Sequence, residues 1–224
     1  MEKYLSHNSV PLLQNLSKVL QKPLTFVDLE TTSLVHEANF AIIEIGIITI
    51  TPDSFIEQSS LVDPKTYISP YITSITNITN DMVRGKPTFS HFNKIFKKIA
   101  NESILMGFNS RPFDSKGIEK MAKKHGENYL FKNQIDIRQL FLRERNSRLN
   151  IRSQAGKLTE ASEFYNVTLK GQAHRAAYDI ALTALLAESI LKNSHISCLT
   201  KDIEKLECTH TQKLFYKHIG TNIR

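Results

Sequence analysis

The chain has 224 residues, of which 41% are hydrophobic and 23% are charged, a balance typical of a soluble globular domain with room for a short appendage. Its two cysteines, Cys198 and Cys208, exclude a scaffold built from disulfides and fit a cytoplasmic location. A formal net charge of +7 favours a polyanionic partner, with nucleic acid as the first candidate.

The first part of the chain predicts one helix followed by three strands. Residues 1–22 contain SVPLLQNLSKVLQ, in which apolar residues recur at helical spacing, so we expect a helical extension there. Strands are expected at LTFVDL, 40–50 and 54–62, and their short connections favour an antiparallel meander. The longest apolar stretch, FAIIEIGIITI, contains Glu44 and is too short to cross a bilayer, and we find no signal peptide, so no membrane association is expected.

Strands and helices alternate in the rest of the chain. Residues 63–83, rich in Ser, Thr and Asn, predict a loop with a short helix from Thr79, and residues 87–102 predict an amphipathic helix. Strand–helix pairs are expected at SILMGFN with PFDSKGIEKMAKKHG and within QIDIRQLFLRER, and further helices at KLTEASEFYNV and 173–193. Strands that come first and then alternate with helices predict an α/β fold with a mixed sheet flanked by helices.

Two acidic residues stand at the end of the first predicted strand, in FVDLETTSL. Asp28 and Glu30 are two apart, so their side chains share one face of the strand. Neighbouring carboxylates repel one another unless a positive group lies between them. A strand that ends in an acidic loop explains the same letters, and this stretch alone leaves both interpretations open.

Two further acids follow the pattern of strand ends and helix starts. Asp114 lies in the first turn of a predicted helix, where the helix dipole alone would also favour an acid. Asp179 is followed by IALTALLAESIL, a face that looks buried, and buried carboxylates are rare unless they are paired or bound to a metal. His174 lies five residues before Asp179, about 140° away on a helix, so we place it on the preceding edge or loop, over the site.

These residue types suit phosphodiester hydrolysis assisted by metal ions. Carboxylate oxygens with few sulfur or imidazole competitors are ligands for Mg²⁺ or Mn²⁺. Two such ions stabilise the attacking and leaving oxygens of an in-line displacement. A histidine with a pKa of about 6.5 takes the proton of a water molecule near neutral pH.

The three motifs DLETTSL, NSRPFD and HRAAYD resemble, in order and spacing, the exonuclease motifs of the DEDDh (DnaQ-like) family of 3′→5′ exonucleases. The resemblance is greatest to the epsilon-type proofreading subunits of bacterial replicative DNA polymerase, and it runs from about residue 24 to about residue 192. It implies a ribonuclease H-like fold with a five-stranded mixed sheet flanked by helices. We therefore predict an exonuclease domain at 23–193, after the extension at 1–22, and a helical tail at 194–224.

The resemblance also implies roles for five residues. The general base would be His174, because Arg175 occupies the position of the tyrosine that defines the sister subclass. The ligands of two divalent cations, Mg²⁺ or Mn²⁺, would be Asp28, Glu30, Asp114 and Asp179.

Three more positions resemble substrate contacts of the family. The backbone of Thr31 would meet the terminal nucleotide, and Asn109 would lie near that nucleotide. Ile78 would wedge against the terminal base, although packing in the core explains it nearly as well. Basic residues that flank the motifs and are candidates for holding phosphates are Arg84, Lys86, Arg111, Lys116, Lys170 and Arg175.

The chain departs from the family pattern at two places. Ser33 replaces a usual glycine, which predicts mild strain in the turn after the first strand. Thr76 and Asn77 replace the His-Gly pair of polymerase-associated members, which puts the fine shape of the pocket for the 3′ end in doubt.

The resemblance implies a metal-dependent 3′→5′ exonuclease that acts on single-stranded DNA in proofreading or repair and releases nucleoside 5′-monophosphates. Two alternatives stay open: an exoribonuclease that processes RNA 3′ ends, and a catalytically silent relative that binds nucleic acid or protein. No polymerase domain is recognised in the chain, so proofreading would require a DNA polymerase subunit or other protein partner. The tail at 194–224 is the candidate contact, as an amphipathic helix rather than a zinc site, because its Cys-x-His spacing is unusual for zinc.

Overall fold

A five-stranded mixed sheet forms the centre of the protein in the computed structural model, which describes residues 4–171 and 173–193. The predicted tail at 194–224 lies outside the described residues. The strand order across the sheet is β3-β2-β1-β4-β5. The strands are β1 (Leu24–Thr31), β2 (Ile42–Ile50), β3 (Phe55–Leu61), β4 (Ile104–Gly107) and β5 (Gln134–Asp136).

Helices cover both faces of this sheet. On one face lie α1 (Pro11–Leu20), α6 (Ile137–Leu149), α7 (Leu158–Phe164) and α8 (Ala176–Asn193). On the other face lie α4 (Asn93–Glu102) and α5 (Asp114–Lys124), while two short helices, α2 (Pro70–Thr76) and α3 (Asn80–Val83), follow the meander. Because both faces are covered, β2 is buried along nearly its whole length, as its continuous run of β-branched residues requires.

The pairing of the strands decides where their ends meet. β1 pairs antiparallel with β2, and β2 pairs antiparallel with β3, which confirms the predicted meander. β1 and β4 are parallel, and so are β4 and β5. The carboxyl ends of β1, β4 and β5 therefore lie along one edge of the sheet, which is where open α/β sheets bind their ligands.

The first long helix shares the core of the domain. Leu13, Leu16 and Leu20 of α1 are buried in the same cluster as Phe26 of β1. The carboxylate of Glu188 in α8 accepts the free backbone N–H groups of Leu12 and Leu13, at 2.7 and 2.9 Å. Helix α1 is thus held by packing and by hydrogen bonds, and the predicted domain boundary at residues 22–23 stays a prediction.

Two local predictions were wrong. Residues 70–76 form α2 where a loop was predicted, because the Ser69 side chain accepts the backbone N–H of Ile72, at 3.3 Å, and Pro70 begins the helix. Residues 87–102, predicted to form one amphipathic helix, open instead with a 3₁₀ turn at Phe89–Phe92; α4 begins only at Asn93, and Ile95 within it is 41% exposed. Within the described part of the chain, no helix combines the length and the apolar character that crossing a bilayer needs.

Candidate active site

Strand β1 brings Asp28 and Glu30 to one face of the sheet at its carboxyl end. Both side chains are half-buried, whereas Leu29 between them points into the core. Glu30 lies opposite Glu44 of β2, and the pairing becomes irregular between Glu30 and Thr31. The regular ladder therefore ends at the acidic pair, and such bulges are common next to active sites.

Helix α8 brings Asp179 to the same edge. Asp179 lies in the first turn, and its Oδ2 accepts the backbone N–H of His174 at 2.9 Å. His174 is exposed and precedes the helix, as predicted, with a φ of 59°. This left-handed conformation is strained for a residue other than glycine, by of order 1–3 kcal/mol, and such strain is concentrated at functional sites.

Asp28, Glu30 and Asp179 form a cluster of three carboxylates. One oxygen atom from each side chain lies within 4.8 Å of those from the other two. Carboxylate oxygens are the ligands that Mg²⁺ and Mn²⁺ prefer. The donor set therefore fits a divalent cation.

Asp114 lies next to this cluster and begins α5. Its side chain is only 4% exposed. Burial raises the pKa of Asp114 well above its usual value, although backbone N–H groups of Asp114 itself and of Leu29 oppose this by hydrogen bonding. Its charge interacts with that of Asp28 and of Glu30, so Asp114 lies within electrostatic reach of two of the three clustered carboxylates.

The clustered carboxylates hold protons more tightly than free ones. Burial, with the charges of Asp179 and Glu44 after it, raises the pKa of Glu30 from 4.5 to about 8. Burial, followed by the charge of Asp114, likewise raises the pKa of Asp28. Burial also raises the pKa of Asp179, while the charge of His174 opposes the shift. A bound divalent cation would relieve this repulsion. The raised pKa values therefore point to a metal site, as the donor set does.

The family model for exonucleases of the RNase_T type matches residues 25–187. The chain belongs to this family. The match covers every motif named above and confirms the resemblance to DnaQ-like exonucleases.

Relatives of this chain include a DNA polymerase and a phage protein. The "DNA polymerase III PolC-type" of Caldanaerobacter subterraneus subsp. tengcongensis is 30% identical over 82% of this chain, but the chain spans only 13% of that relative's length. The "Uncharacterized exonuclease CP81" of Escherichia phage 186 is 28% identical over 84% of this chain and 98% of its own length. E. coli Exonuclease I in complex with a dT13 oligonucleotide has a TM-score of 0.66 over 86% of this chain and 46% of that one, at 17% identity. The shared fold confirms the predicted ribonuclease H-like class.

A buried ion pair fixes the position of the helix that carries the third motif. Glu44 of β2 is 2% exposed, and its carboxylate accepts from the Arg175 guanidinium, with the shortest contact at 2.6 Å, and from the Ala176 backbone N–H at 2.9 Å. Gly46 allows the Ala176 backbone to approach β2 closely, because a Cβ there would lie 2.7 Å from the Ala176 carbonyl oxygen. Sequence reasoning missed this role of Glu44, and the available signal was a single acid inside a β-branched strand.

Asp136 fixes the position of the second motif, as Glu44 does for the third. This residue at the end of β5 is buried, and its carboxylate accepts the backbone N–H groups of Asn109, Arg111 and Arg138 at 3.0, 3.4 and 3.0 Å. Asn109 is exposed and adopts a left-handed φ of 62°, which asparagine tolerates better than most residues. The loop that delivers Asp114 is thereby fixed to the start of α6, a role that sequence reasoning also missed.

The predicted substrate contacts fare differently. Thr31 lies beside the acidic pair, with its hydroxyl donating to the Ser33 carbonyl at 2.9 Å. Ile78 is completely buried with Ile43 as a neighbour in its cluster, so the predicted wedge against a base is wrong and the core alternative holds. Leu34, on the loop after β1, has a large apolar side chain that is exposed.

The backbone accommodates both departures from the family pattern. Ser33 does not have a positive φ, so its backbone lacks the left-handed strain that a glycine would relieve. Asn77 ends α2 with a φ of 57° and donates its N–H to the Thr73 carbonyl at 2.8 Å. Asparagine thus adopts the left-handed conformation that a glycine at this position would otherwise supply.

Half of the basic residues proposed for phosphates pair with acids instead. Arg175 binds Glu44, and Arg84 pairs with Asp81 at 2.8 Å. Lys116 pairs with Glu119 at 3.0 Å. Arg111 belongs to the second motif and lines a groove beside it.

Proposed function

We propose that this chain is a metal-dependent 3′→5′ exonuclease that hydrolyses the terminal phosphodiester of single-stranded DNA and releases nucleoside 5′-monophosphates. The observation that carries the proposal is the cluster of Asp28, Glu30 and Asp179, whose oxygens lie within 4.8 Å of one another at the ends of β1 and α8. Such a cluster is costly to a fold, and it is explained by divalent cations that neutralise it.

Each residue of the site has a role in this proposal. The four acids Asp28, Glu30, Asp114 and Asp179 would hold two Mg²⁺ or Mn²⁺ ions. When bound, the ions supply charge stabilisation for the attacking and leaving oxygens of the phosphodiester. The imidazole of His174, exposed beside Asp179, accepts the proton of the attacking water.

Substrate contacts follow from exposure around the carboxylates. The backbone of Thr31 and the side chain of Asn109 would meet the terminal nucleotide. The contact with the terminal base is assigned to Leu34, because it is exposed on the loop after β1 whereas Ile78 is buried.

A DNA substrate is supported by relatives and neighbours. Several relatives are named as DNA polymerase III, and Exonuclease I binds a dT13 oligonucleotide. A polymerase partner, reached through residues 194–224, and a cytoplasmic location belong to the same proposal.

The test is a time course with single-stranded DNA and matched RNA, each labelled at the 3′ or the 5′ end. With Mg²⁺ or Mn²⁺, the 5′-labelled DNA should shorten by single nucleotides, and the 3′ label should appear at once as a mononucleotide. EDTA should stop both. Faster digestion of RNA would instead select the exoribonuclease alternative, and intact strands from a folded sample would select the silent one.

A further inference from the structure

A groove of about 370 Å³ lies beside the candidate active site, at the edge where β4 and β5 end. Its lining includes Asn109 and Asp136 and three arginines, Arg111, Arg138 and Arg143. The groove adjoins the carboxylates, because its lining residues Asn109, Arg111 and Pro112 belong to the loop that ends in Asp114. Its volume is at the lower end of the range for pockets that bind small molecules, about 300–1,000 Å³.

The groove presents more positive than negative charge to a ligand. The one carboxylate in its lining belongs to Asp136, which is buried. Both of its oxygens accept backbone N–H groups, those of Asn109, Arg111 and Arg138. Asp136 therefore connects the two loops that line the groove, and the other charged residues of the lining are the three arginines.

Two of these arginines are fixed in place by backbone carbonyls. Arg111 donates from Nη2 to the Gln134 carbonyl at 2.8 Å. Arg138 donates from Nε to the Gly156 carbonyl at 3.0 Å and from Nη2 to that of Gln154. A guanidinium carries five N–H donors, so each of the two keeps donors beyond those that these bonds use.

We propose that this groove binds phosphodiester groups of the single strand on the 5′ side of the scissile bond, an inference that rests on the proposed function. Guanidinium groups held in fixed positions match phosphate oxygens in pairs, and they read charge rather than sequence. A strand that reaches past the carboxylates gains these contacts, so affinity rises with strand length and is independent of sequence.

The test measures binding of fluorescent oligothymidylates of two to twelve nucleotides with Ca²⁺ in place of Mg²⁺, to separate binding from hydrolysis. Arg111→Gln and Arg143→Gln should each weaken binding of the twelve-mer about tenfold, the scale of one charge-assisted hydrogen bond. Each should also lower the slope of log K against log salt by about 0.7, the value for one phosphate contact on a single strand. The advantage of the twelve-mer over the dinucleotide should shrink in both variants.

Two further variants control for charge and folding. Lys124→Gln removes the same charge at the far end of α5 and should keep the wild-type slope. Arg111→Lys keeps the charge without the planar fork, so it should keep the slope while binding more weakly. If the glutamine variants fail to fold, the affinity of Arg111→Lys alone tests the proposal.

Each result bears on the groove separately from the catalytic proposal. The proposal is overturned if both arginine variants keep the wild-type salt slope, or if Lys124→Gln lowers the slope and the affinity by as much as they do. A full arginine effect on the dinucleotide also overturns it, because the arginines would then act at the catalytic nucleotide. If the arginine variants lower the salt slope but the wild-type protein hydrolyses nothing with Mg²⁺ or Mn²⁺, the groove binds phosphates and the proposed exonuclease activity is wrong. If the wild-type protein hydrolyses DNA but the slopes are unchanged in the variants, the activity stands and the proposed phosphate binding in the groove is wrong.

Discussion

Asp28, Glu30 and Asp179 place like charges where the fold itself gains nothing from them. Burial, with repulsion from neighbouring carboxylates after it, raises the pKa of each, and that of Glu30 reaches about 8. Residues that destabilise a fold while other choices would pack well are found mainly at functional sites. Activity and stability should therefore respond in opposite directions when one of these charges is removed.

The variant Asp179→Asn tests that opposition. Asparagine keeps an oxygen that can accept the His174 N–H, now at 2.9 Å, but it removes a charge from the cluster. Metal-dependent hydrolysis should fall by more than about 10³-fold, because the variant loses a ligand of the ions that stabilise the transition state. The melting temperature in EDTA at pH 8 should stay level or rise. Full hydrolysis by this variant would remove Asp179 from the metal site.

The role of His174 has its own test. His174→Ala should lower kcat by about 10²–10⁴-fold, the usual range for losing a general base. The acidic limb of the pH–rate profile should flatten as well. His174→Gln is the matched control, because it keeps a polar side chain without a titrating group and should be impaired to the same degree. A profile identical to that of the wild type would show that another group accepts the proton.

At the scale of elements, β2 decides where α8 begins. Gly46 lets the Ala176 backbone approach the strand, and Glu44 then binds both Arg175 and the Ala176 N–H. His174 and Asp179 lie on either side of these contact residues in the chain. A displacement of the first turn of α8 would therefore move two of the five proposed catalytic residues together.

Gly46→Ala should damage both stability and activity. Its Cβ would lie 2.7 Å from the Ala176 carbonyl oxygen, so the helix must shift. We expect a loss of about 1–3 kcal/mol in the free energy of unfolding, the scale of overpacking, with a clear fall in kcat. Gly126→Ala is the control: its φ of 77° also costs stability, but it follows α5 with nothing within 4 Å, so kcat should hold. Equal kcat values in the two variants would contradict the inference that Gly46 positions the start of α8.

The same elements show what sequence patterns reveal. β2 and α8 were predicted because long runs of β-branched or apolar residues dominate local choice, and the acids were predicted because three motifs occur in order. α2 was missed because it depends on one capping hydrogen bond to Ser69 within a stretch of Ser, Thr and Asn. The role of Glu44 was missed because it depends on contact with Arg175, 131 positions away, and no local pattern reports such a contact.

At the scale of the whole molecule, one edge of the sheet collects opposite charges. The carboxyl ends of β1, β4 and β5 lie along it, with carboxylates at β1 and the arginine groove between β4 and β5. Parallel pairing brings both sites together, although their residues are far apart in sequence. A polyanion that carries its own cations to the carboxylates while its phosphates meet the arginines satisfies both.

This arrangement predicts a stability that depends on pH and on metal. The pKa of Glu30 is 4.5 when unperturbed and about 8 in the folded protein. Between these values the folded state holds a proton that the unfolded chain has released, so stability falls as pH rises through this window. The melting temperature in EDTA should therefore fall from pH 5.5 to pH 8, and less steeply in Glu30→Gln, where this group cannot titrate.

Divalent cations should reverse that fall. Mg²⁺ or Mn²⁺ binds the ionised carboxylates of the folded state only, and at a hundred times its dissociation constant a ligand adds about 2.7 kcal/mol. The gain in melting temperature should thus be larger at pH 8 than at pH 5.5, where protons compete for the same oxygens. Thermal scans of wild type and Glu30→Gln, each with EDTA or Mn²⁺ at both pH values, measure this directly. An equal gain at the two pH values would mean that the cations bind elsewhere on the protein.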